Sequence, residues 1–202
     1  MIRRGGLRPP HSRMAAAESI RAFIAAPIPQ AIVCELAKVQ SELGRELREV
    51  SWTRPEGIHL TLQFLGNIEV ARLDLLCQAL ADSVAVRAAF TLEIAGTGSF
   101  GNRVIWAGVR GELEALEQLA DSVRTAAASF GTNREERAFK AHVTLGRLRT
   151  PRRGLPMKLH RVEERCYGSW RVEEVHLYHS RLSPHGAQHI VLATVPLRSV
   201  ER

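Results

Sequence analysis

Residues 59–62 read His-Leu-Thr-Leu and residues 142–145 read His-Val-Thr-Leu, so one four-residue pattern occurs twice, 83 positions apart. The other six histidines lack this pattern of histidine, apolar residue, threonine and apolar residue. For a chain with eight histidines, two matches arise by chance on the order of one per cent of the time. Alternating polar and apolar side chains are typical of a strand with one buried face. Each motif therefore predicts a strand that presents an imidazole and a hydroxyl together.

The surroundings of the two motifs are also alike. Strict alternation predicts a strand over 58–65, with His59, Thr61 and Gln63 on one face and Leu60, Leu62 and Phe64 on the other. The second motif lies in a predicted strand over 141–148. Apolar residues at helical spacing predict a helix before each motif, over 30–48 and 112–130. This repetition indicates two halves related by a pseudo-twofold axis, whose motif strands line a cleft.

The remaining segments complete an α+β pattern. Further strands are predicted over 19–28, 50–52, 90–95, 103–109, 172–180 and 188–196, with a helix over 70–84, a basic loop over 150–159 and a turn over 183–186. Several strands follow one another through short turns, which is unlike the strict alternation of a doubly wound parallel sheet. We therefore predict an α+β fold with antiparallel pairing.

Composition restricts the class of protein. The chain has 202 residues, of which 45% are hydrophobic and 24% charged, as expected for one globular domain or two small lobes. Apolar runs are far shorter than the ~18 residues of a membrane span, and no apolar segment follows the N-terminal charges, so neither membrane insertion nor secretion is predicted. Three widely spaced cysteines without a C-x-x-C pair argue against a disulfide framework or zinc ribbon. A cytoplasmic location is the simplest expectation.

The formal charge of +7 is unevenly distributed. Residues 1–13 carry four arginines and no acidic residue, so the rest of the chain has a net charge of +3. That modest excess is compatible with an anionic ligand. We predict that residues 1–18 are a flexible leader, or an extension upstream of the true start near Met14, and that 19–202 form a single bilobal domain.

Two histidines without a nearby carboxylate pair favour acid/base chemistry over metal binding. An imidazole with an ordinary pKa of ~6.5 can take up or release a proton near neutral pH. The threonine hydroxyls can donate hydrogen bonds to a phosphoryl oxygen, which makes phosphodiester cleavage the natural reaction. The alternative is that each histidine is a half-buried strand residue with a purely structural role; the duplication argues against it.

The motifs and their flanks resemble a known family. The segments RPEGIHLTLQFLG (54–66) and RAFKAHVTLGRL (137–148) are similar to the RNA 2′,3′-cyclic phosphodiesterases, also called 2′-5′ RNA ligases, of the 2H phosphoesterase superfamily. The resemblance extends to RAFIAAPIP (21–29), Trp52, RVIWAGV (103–109) and LYHSRLSPHGAQHIVLATVPL (177–197). It covers roughly residues 20 to 197.

This resemblance implies a bilobal 2H phosphoesterase fold, with two pseudo-twofold-related antiparallel-sheet lobes, outer helices and a central cleft. It implies hydrolysis of a terminal 2′,3′-cyclic phosphate to a 2′-phosphate, with no metal and no cofactor, and possible 2′-5′ joining by the reverse of the corresponding cleavage. His59 would be the proton donor to the departing 3′ oxygen and His142 the proton acceptor that activates water. Thr61 and Thr144 would hold the phosphate. The expected partners are RNA ends or nucleoside 2′,3′-cyclic phosphates, with no membrane and no obligate protein partner.

Further candidates follow the second motif and the family match. Arg147 could contact phosphate, although alternation assigns it to the Val143 face unless Gly146 permits a bulge. Phe139 could stack on a base and Lys140 could attract the RNA backbone, or they could be a core and a solvated residue. Four second-tier candidates also match the family in position, namely Arg103, Trp106, Tyr178 and Ser180. Packing is a sufficient explanation for Trp106 and Tyr178. A basic loop that could guide a polyanion, or be merely solvated, contains Arg147, Arg149, Arg152, Arg153 and Lys158.

The other histidines lack a convergent pattern. His176 and His179 point to opposite faces of a predicted strand, and His185 and His189 flank a turn. Structural or surface roles are the expectation for all four. Two other functions remain open: a non-catalytic RNA-end-binding protein that uses the same cleft, and a histidine-ligated metallohydrolase, which lacks an accompanying set of Asp, Glu or Cys ligands.

Overall fold

A computed structural model describes residues 18–131, 138–151, 153, 155, 159, 164–183 and 186–199. The elements in this part of the chain are β1 (Ser19–Pro27), α1 (Gln30–Gly44), β2 (Val50–Trp52), β3 (His59–Glu69), α2 (Leu73–Val84), β4 (Phe90–Phe100), β5 (Val104–Gly111), α3 (Leu113–Ala127), β6 (His142–Leu148), β7 (Cys166–Val172), β8 (Glu174–Ser183) and β9 (Gly186–Pro196). Short 3-10 turns span Pro55–Gly57 and Val70–Arg72. The predicted leader lies outside the described residues, apart from its last residue. No helix in the described residues is long and apolar enough to cross a membrane.

The strands form one antiparallel sheet whose order is symmetric about its centre. The order is β7-β4-β5-β6-β3-β1-β8-β9, and β2 pairs with β6 beside this path. The motif strands β3 and β6 are therefore central, and β1 and β5, β8 and β4, and β9 and β7 occupy equivalent positions on either side. This arrangement confirms the predicted α+β fold with two pseudo-twofold-related antiparallel halves.

The equivalence extends to single residues. In the pairing of β1 with β3, Ile24 lies opposite Gln63 and Ala25 opposite Thr61, so Leu62 has no partner. The pairing of β5 with β6 skips a residue at the same place: Ile105 lies opposite Gly146 and Trp106 opposite Thr144, which leaves out Leu145. Both motifs thus end in a β-bulge at their second apolar residue.

The bulges change the direction of the side chains that follow them. Gln63 is 8% exposed and Phe64 is 40% exposed, so the prediction of strict alternation over 58–65 is wrong beyond Leu62. The extra residue shifts the pleat by one position. Phe64 therefore shares a face with His59 and Thr61, and the corresponding shift carries Arg147 to the face of His142.

The central cleft arises because the two motif strands barely pair. A single pair, Leu60 with Val143, joins β3 to β6. Farther along β6 the neighbour is β2, where Trp52 lies opposite Gly146. A Cβ at Gly146 would lie 2.6 Å from Val50 Cγ1 and 2.9 Å from Trp52 Cε3, so glycine is needed here for close packing. With so little pairing between β3 and β6, the two halves of the sheet diverge.

The core holds the motif strands from behind. Leu60, Val143 and Leu145 have no exposed surface. Helix α1 contributes Leu36 and helix α3 contributes Leu116, which are also fully buried. At roughly 1.5–3 kcal/mol for each large apolar side chain removed from water, this burial anchors one face of each motif strand while the other face stays available to a ligand.

The sequence analysis does not predict strand β7, which pairs with β4. The strand predicted over 172–180 includes only Val172, the last residue of β7. Its buried residues Tyr167 and Trp170 are three apart, because Gly168 takes a φ of +133° and the pairing with β4 shifts between Ile94 and Ala95. This irregularity removes the period of two on which strand prediction depends.

Candidate active site

The polar residues of the two motifs meet at the centre of the sheet. His59, Thr61, His142 and Thr144 are half-buried, and they alternate with buried apolar residues of their strands. The antiparallel register of the Leu60–Val143 pair sets Thr144 beside His59 and His142 beside Thr61. The structure therefore brings together the four residues that the sequence singled out.

Each motif histidine is held by the carbonyl two residues before it. Nδ1 of His142 lies 2.7 Å from the carbonyl oxygen of Lys140, and the His59 ring forms a hydrogen bond with the backbone of Gly57. Because a carbonyl can only accept, Nδ1 of His142 carries a proton and donates it. In neutral His142 the other nitrogen, Nε2, is consequently free to accept a proton.

The two histidines have different surroundings. The His59 ring stacks on Phe23 with a centroid distance of 4.7 Å, and His189 meets it edge-on at 5.3 Å. Burial, together with the proximity of His189, lowers the pKa of His59 to about 4, although the hydrogen bond with Gly57 acts in the opposite direction. His59 is therefore neutral at pH 7 when no ligand charge is near it.

His142 lies against an aromatic wall from the other half of the sheet. The Phe100 ring meets it edge-on at 5.0 Å and lies 5.3 Å from the Trp106 ring. The Lys140 ammonium group is 5.8 Å from the centre of the Phe100 ring, within cation–π range. Trp106, one of the second-tier candidates, fits because its neighbour is Gly98, where a Cβ would lie 2.2 Å from the indole.

A cavity of about 830 Å³ opens beside His142. Five of the residues singled out from the sequence line it: Thr61, Phe139, Lys140, His142 and Arg147. The sequence reasoning missed others that also line it, namely Phe64, Ser99, Phe100, Val104 and Arg124. The cavity thus combines aromatic rings with three cationic side chains, a combination suited to a nucleotide.

Arg147 enters this cavity because of the bulge at Leu145. The objection from strand alternation does not apply, since the extra residue turns Arg147 to the His142 face. Burial and the nearby Arg103 lower its pKa, and Arg103 itself is held by a hydrogen bond of 3.0 Å from its Nε to the carbonyl oxygen of Leu148. Among the described residues no carboxylate forms an ion pair with Arg147, so an anion would relieve the repulsion between the two guanidinium groups.

Other candidates lie outside the cavity. Neither His59 nor Thr144 contributes to its lining, and the same holds for Arg103, Tyr178 and Ser180. Tyr178 stacks on Phe23 at 5.0 Å and lies 6.0 Å from His59. In the basic loop, Arg149 and Arg153 are exposed, while Arg152 and Lys158 lie outside the described residues, as does His185.

Two more histidines approach the His59 side of the cleft. Nδ1 of His176 lies 3.0 Å from Tyr178 Oη, and its Nε2 lies 2.7 Å from Glu174 Oε1. His189 contacts His59, as described above. The sequence did not indicate this convergence, because β8 and β9 are more than a hundred residues from the first motif and no local pattern links them to it. The expectation of structural or surface roles for these histidines stays a prediction. Phe64 did carry a signal: it follows His59 by five positions, as Arg147 follows His142.

No group of three or more His, Cys, Asp or Glu residues in the described ranges could hold a metal ion.

A symmetric antiparallel sheet with two His-x-Thr strands at its central cleft is the architecture of the 2H phosphoesterases. A family model described as the 2′-5′ RNA ligase superfamily matches residues 31–183. The chain belongs to this superfamily, as its motifs indicated, and is an enzyme of the phosphoesterase class.

Several relatives and solved structures are similar to this chain over most of its length. An RNA 2′,3′-cyclic phosphodiesterase of Methanothermobacter thermautotrophicus is 31% identical over 176 residues, which are 83% of this chain and 93% of the relative. The crystal structure of TT0787 of Thermus thermophilus is similar with a TM-score of 0.74 and 28% identity, over 90% of this chain and 100% of that one. The structure of Escherichia coli LigT complexed with 3′-AMP is similar with a TM-score of 0.76 and 25% identity, over 89% and 99% of the two chains.

Proposed function

We propose that this protein is an RNA 2′,3′-cyclic phosphodiesterase that opens a terminal 2′,3′-cyclic phosphate to a 2′-phosphate. The observation that carries the proposal is the pair of His-x-Thr motifs on adjacent central strands, with each histidine held by the carbonyl two residues before it. The relatives named as RNA 2′,3′-cyclic phosphodiesterases support the same reaction.

The phosphate would be gripped from both motif strands. The hydroxyls of Thr61 and Thr144 donate hydrogen bonds to the non-bridging oxygens, and Arg147 adds a charge-assisted contact at the edge of the cavity. These donors stabilise the negative charge that grows on the phosphoryl oxygens as the nucleophile attacks.

The two histidines would divide the proton transfers. Nε2 of His142 accepts a proton from a water molecule as the water oxygen forms a bond with phosphorus. The bond from phosphorus to the 3′ oxygen breaks, and His59 donates its proton to that oxygen. The products are a 3′-hydroxyl and a 2′-phosphate, with the water proton left on His142. The Lys140 carbonyl, which accepts from Nδ1, stabilises the resulting imidazolium.

His59 must acquire its proton before it can donate it. With a pKa of about 4 it is neutral in the free protein at pH 7. A phosphate anion held by the neighbouring threonines favours the charged imidazole and raises this pKa. Substrate binding would therefore be accompanied by proton uptake, and the bound complex would have the donor and acceptor that the reaction needs.

The cavity fits the nucleotide that carries the cyclic phosphate. Phe64, Phe100 and Phe139 provide ring faces on which a base of any identity can stack. Lys140 and Arg124 provide positive charge for phosphates upstream in an RNA strand. We infer that both RNA ends and nucleoside 2′,3′-cyclic phosphates are substrates, and that RNA ends bind more tightly at low salt.

We further propose that the enzyme works in the cytoplasm. All three cysteines, Cys34, Cys77 and Cys166, are free thiols, which fits a reducing compartment. The test is cell fractionation of the native protein; recovery with a secreted or membrane fraction would contradict the proposal.

The decisive experiment is hydrolysis of an RNA oligonucleotide that ends in a 2′,3′-cyclic phosphate, in excess EDTA, with the position of the product phosphate determined. We expect turnover to a 2′-phosphate, and His142→Asn should lower kcat at least about a hundredfold because the proton acceptor is lost. His179→Asn is the matched control, since His179 lies on β8, which is not adjacent to the strand of His142, and its side chain points to the face of β8 opposite that of Tyr178. Salt-dependent binding without turnover would instead indicate the non-catalytic RNA-end-binding alternative, and full activity of His142→Asn would refute the two-histidine mechanism.

A further inference from the structure

A third histidine, His189, lies in direct contact with His59. It is on β9, opposite Ser180 of β8. Its ring meets His59 edge-on with a centroid distance of 5.3 Å and meets Phe23 edge-on at 4.9 Å. Its Cδ2–Nε2 edge faces the Gly57 turn, 3.9 Å from where a Cβ of Gly57 would lie. His189 thus packs against both the ring and the backbone support of His59.

Within the part of the chain that the structure describes, the other motif histidine has no such neighbour. On that side of the pseudo-twofold axis, His142 is met edge-on by the hydrocarbon ring of Phe100. Phe100 lies opposite Val104 in the pairing of β4 with β5, a position equivalent to that of Tyr178. The two motifs are near copies in sequence, but only His59 has a titratable ring packed edge-on against it within the described residues.

His189 is held in an uncharged state. Its Nδ1 is buried and has no hydrogen-bond partner among the described residues, and burial lowers its pKa. A protonated ring would leave that N–H unsatisfied, which is costly. It would also bring a second positive charge within 5.3 Å of His59. At an effective dielectric constant of about 20, charges at this spacing change a protonation equilibrium roughly a hundredfold.

Other titratable groups lie around this pair in the described residues. On β8, His176 contacts Tyr178 and is hydrogen-bonded to Glu174 at 2.7 Å, so its nearest charged partner is a carboxylate. From β8, Tyr178 faces both rings, at 6.4 Å from His189 and 6.0 Å from His59, and burial and Glu174 raise its pKa, so it remains a neutral phenol. The turn at Pro55–Gly57 contributes the exposed Glu56, and β1 contributes Phe23, which does not titrate. Across the cleft, β6 contributes His142. Burial is the largest cause of the lowered pKa of His59, and His189 is the titratable side chain that adds most to it.

We propose that His189 is a positioning residue for the reaction: it braces His59 edge-on and, by remaining uncharged, allows His59 to take up the proton that it then donates. This proposal rests on the proposed function. A permanent cation at position 189 would block this proton uptake. The proposal also assigns an asymmetric role to the two motifs, since His142 works without such a neighbour.

The test is a charge series at position 189 in two matched pairs, His189→Glu with His189→Gln and His189→Lys with His189→Met. We measure the pKa of His59 in each free protein by NMR, and the pH profile of kcat/KM with a nucleoside 2′,3′-cyclic phosphate. His189→Lys should lower kcat/KM at pH 7 at least tenfold relative to His189→Met, and His189→Glu should raise it relative to His189→Gln, because roughly a hundredfold change in protonation is available at this distance. The same four substitutions at His179 are the control, since His179 lies on the face of β8 opposite that of Tyr178.

The outcomes separate the two proposals. If the pKa of His59 and kcat/KM both follow the charge at position 189, the role of His189 is supported. If both follow side-chain size and are equal within each matched pair, His189 has only a packing role and the inference is overturned. If the pKa of His59 follows the charge but the wild-type protein hydrolyses no cyclic phosphate, the proposed function fails, and with it the role of His189 in that reaction.

Discussion

Gln40 connects the stability of the fold to the geometry of the cavity. This residue of α1 is 8% exposed, and its Nε2 donates to the carbonyl oxygens of Thr53 and Leu145, each at 2.8 Å. Leu145 is the bulge residue that turns Arg147 into the cavity. We predict that Gln40→Leu, which keeps the volume of the side chain but removes both donors, destabilises the protein and impairs substrate binding.

The magnitude follows from the partners that remain. In Gln40→Leu, the Leu145 carbonyl oxygen still accepts a hydrogen bond of 2.8 Å from the Thr53 backbone N–H. The Thr53 carbonyl oxygen loses the hydrogen bond that the Gln40 amide donates to it. At ~1 kcal/mol for each net hydrogen bond, the loss is about 2 kcal/mol of unfolding free energy. For a chain of this size that corresponds to a fall in Tm of about 4–8 °C. A loosened bulge should also raise KM, because Arg147 is less well fixed.

Thermal unfolding followed by circular dichroism, and steady-state hydrolysis of a cyclic phosphate, measure the two effects. Ser41→Ala is the control on the same helix: its hydroxyl is exposed and donates only to the carbonyl of Ala37, so its effect should stay within about 0.5 kcal/mol. A Tm of Gln40→Leu within about 1 °C of the wild type would refute the reasoning. A lower Tm with an unchanged KM would refute the link between the bulge and Arg147.

Three other predictions concern charge and packing. The pKa of His59 is lowered to about 4 in the folded protein, so the protein takes up a proton when it unfolds below pH ~6.5. The unfolding free energy should therefore fall by on the order of 3 kcal/mol between pH 6.5 and 4. Chemical denaturation across this pH range measures the fall, and the His59→Phe variant should lack this contribution. Gly98→Ala inserts a Cβ 2.2 Å from the Trp106 indole and should cost about 1–3 kcal/mol, measurable as a lower denaturation midpoint, and an unchanged midpoint would contradict the packing argument. Arg147→Met should lower kcat/KM about tenfold or more by removing a charge-assisted contact, and Arg147→Lys should recover part of this loss. Equal kcat/KM of the wild type and both variants would exclude a contact between Arg147 and the substrate.

The two halves of the cleft are related by the symmetric strand order but differ in their surroundings. Both motifs provide the same histidine and threonine on the same kind of strand, and both histidines are held by a carbonyl two residues before them. They differ in what the neighbouring strands bring. His59 packs among Phe23, Tyr178 and His189, while His142 faces an open cavity. In the proposed mechanism, the surroundings of the two histidines and not their residue type would therefore distinguish the proton donor from the proton acceptor.

The site was predictable from the sequence where it depended on neighbouring residues in one strand. His59 and Thr61, like His142 and Thr144, share a face because side chains alternate in an extended chain, and the repeat of the motif indicated that the two pairs meet. The prediction went wrong at Leu62, after which the bulge reversed the alternation. Nothing in the local sequence marks that extra residue, because a bulge forms only when the partner strand pairs on either side of it.

The sequence by itself determined the family and which polar side chains share a strand face: the imidazole and hydroxyl of each motif. Only the tertiary structure decided what surrounds them. The bulge at Leu145, supported by Gln40 from a distant helix, brings Arg147 into the cavity, and the pairing of β8 and β9 on the first half of the sheet brings His189 against His59. These contacts join residues more than a hundred positions apart. They depend on packing and charge in three dimensions, and the periodicity of a single strand carries no information about either.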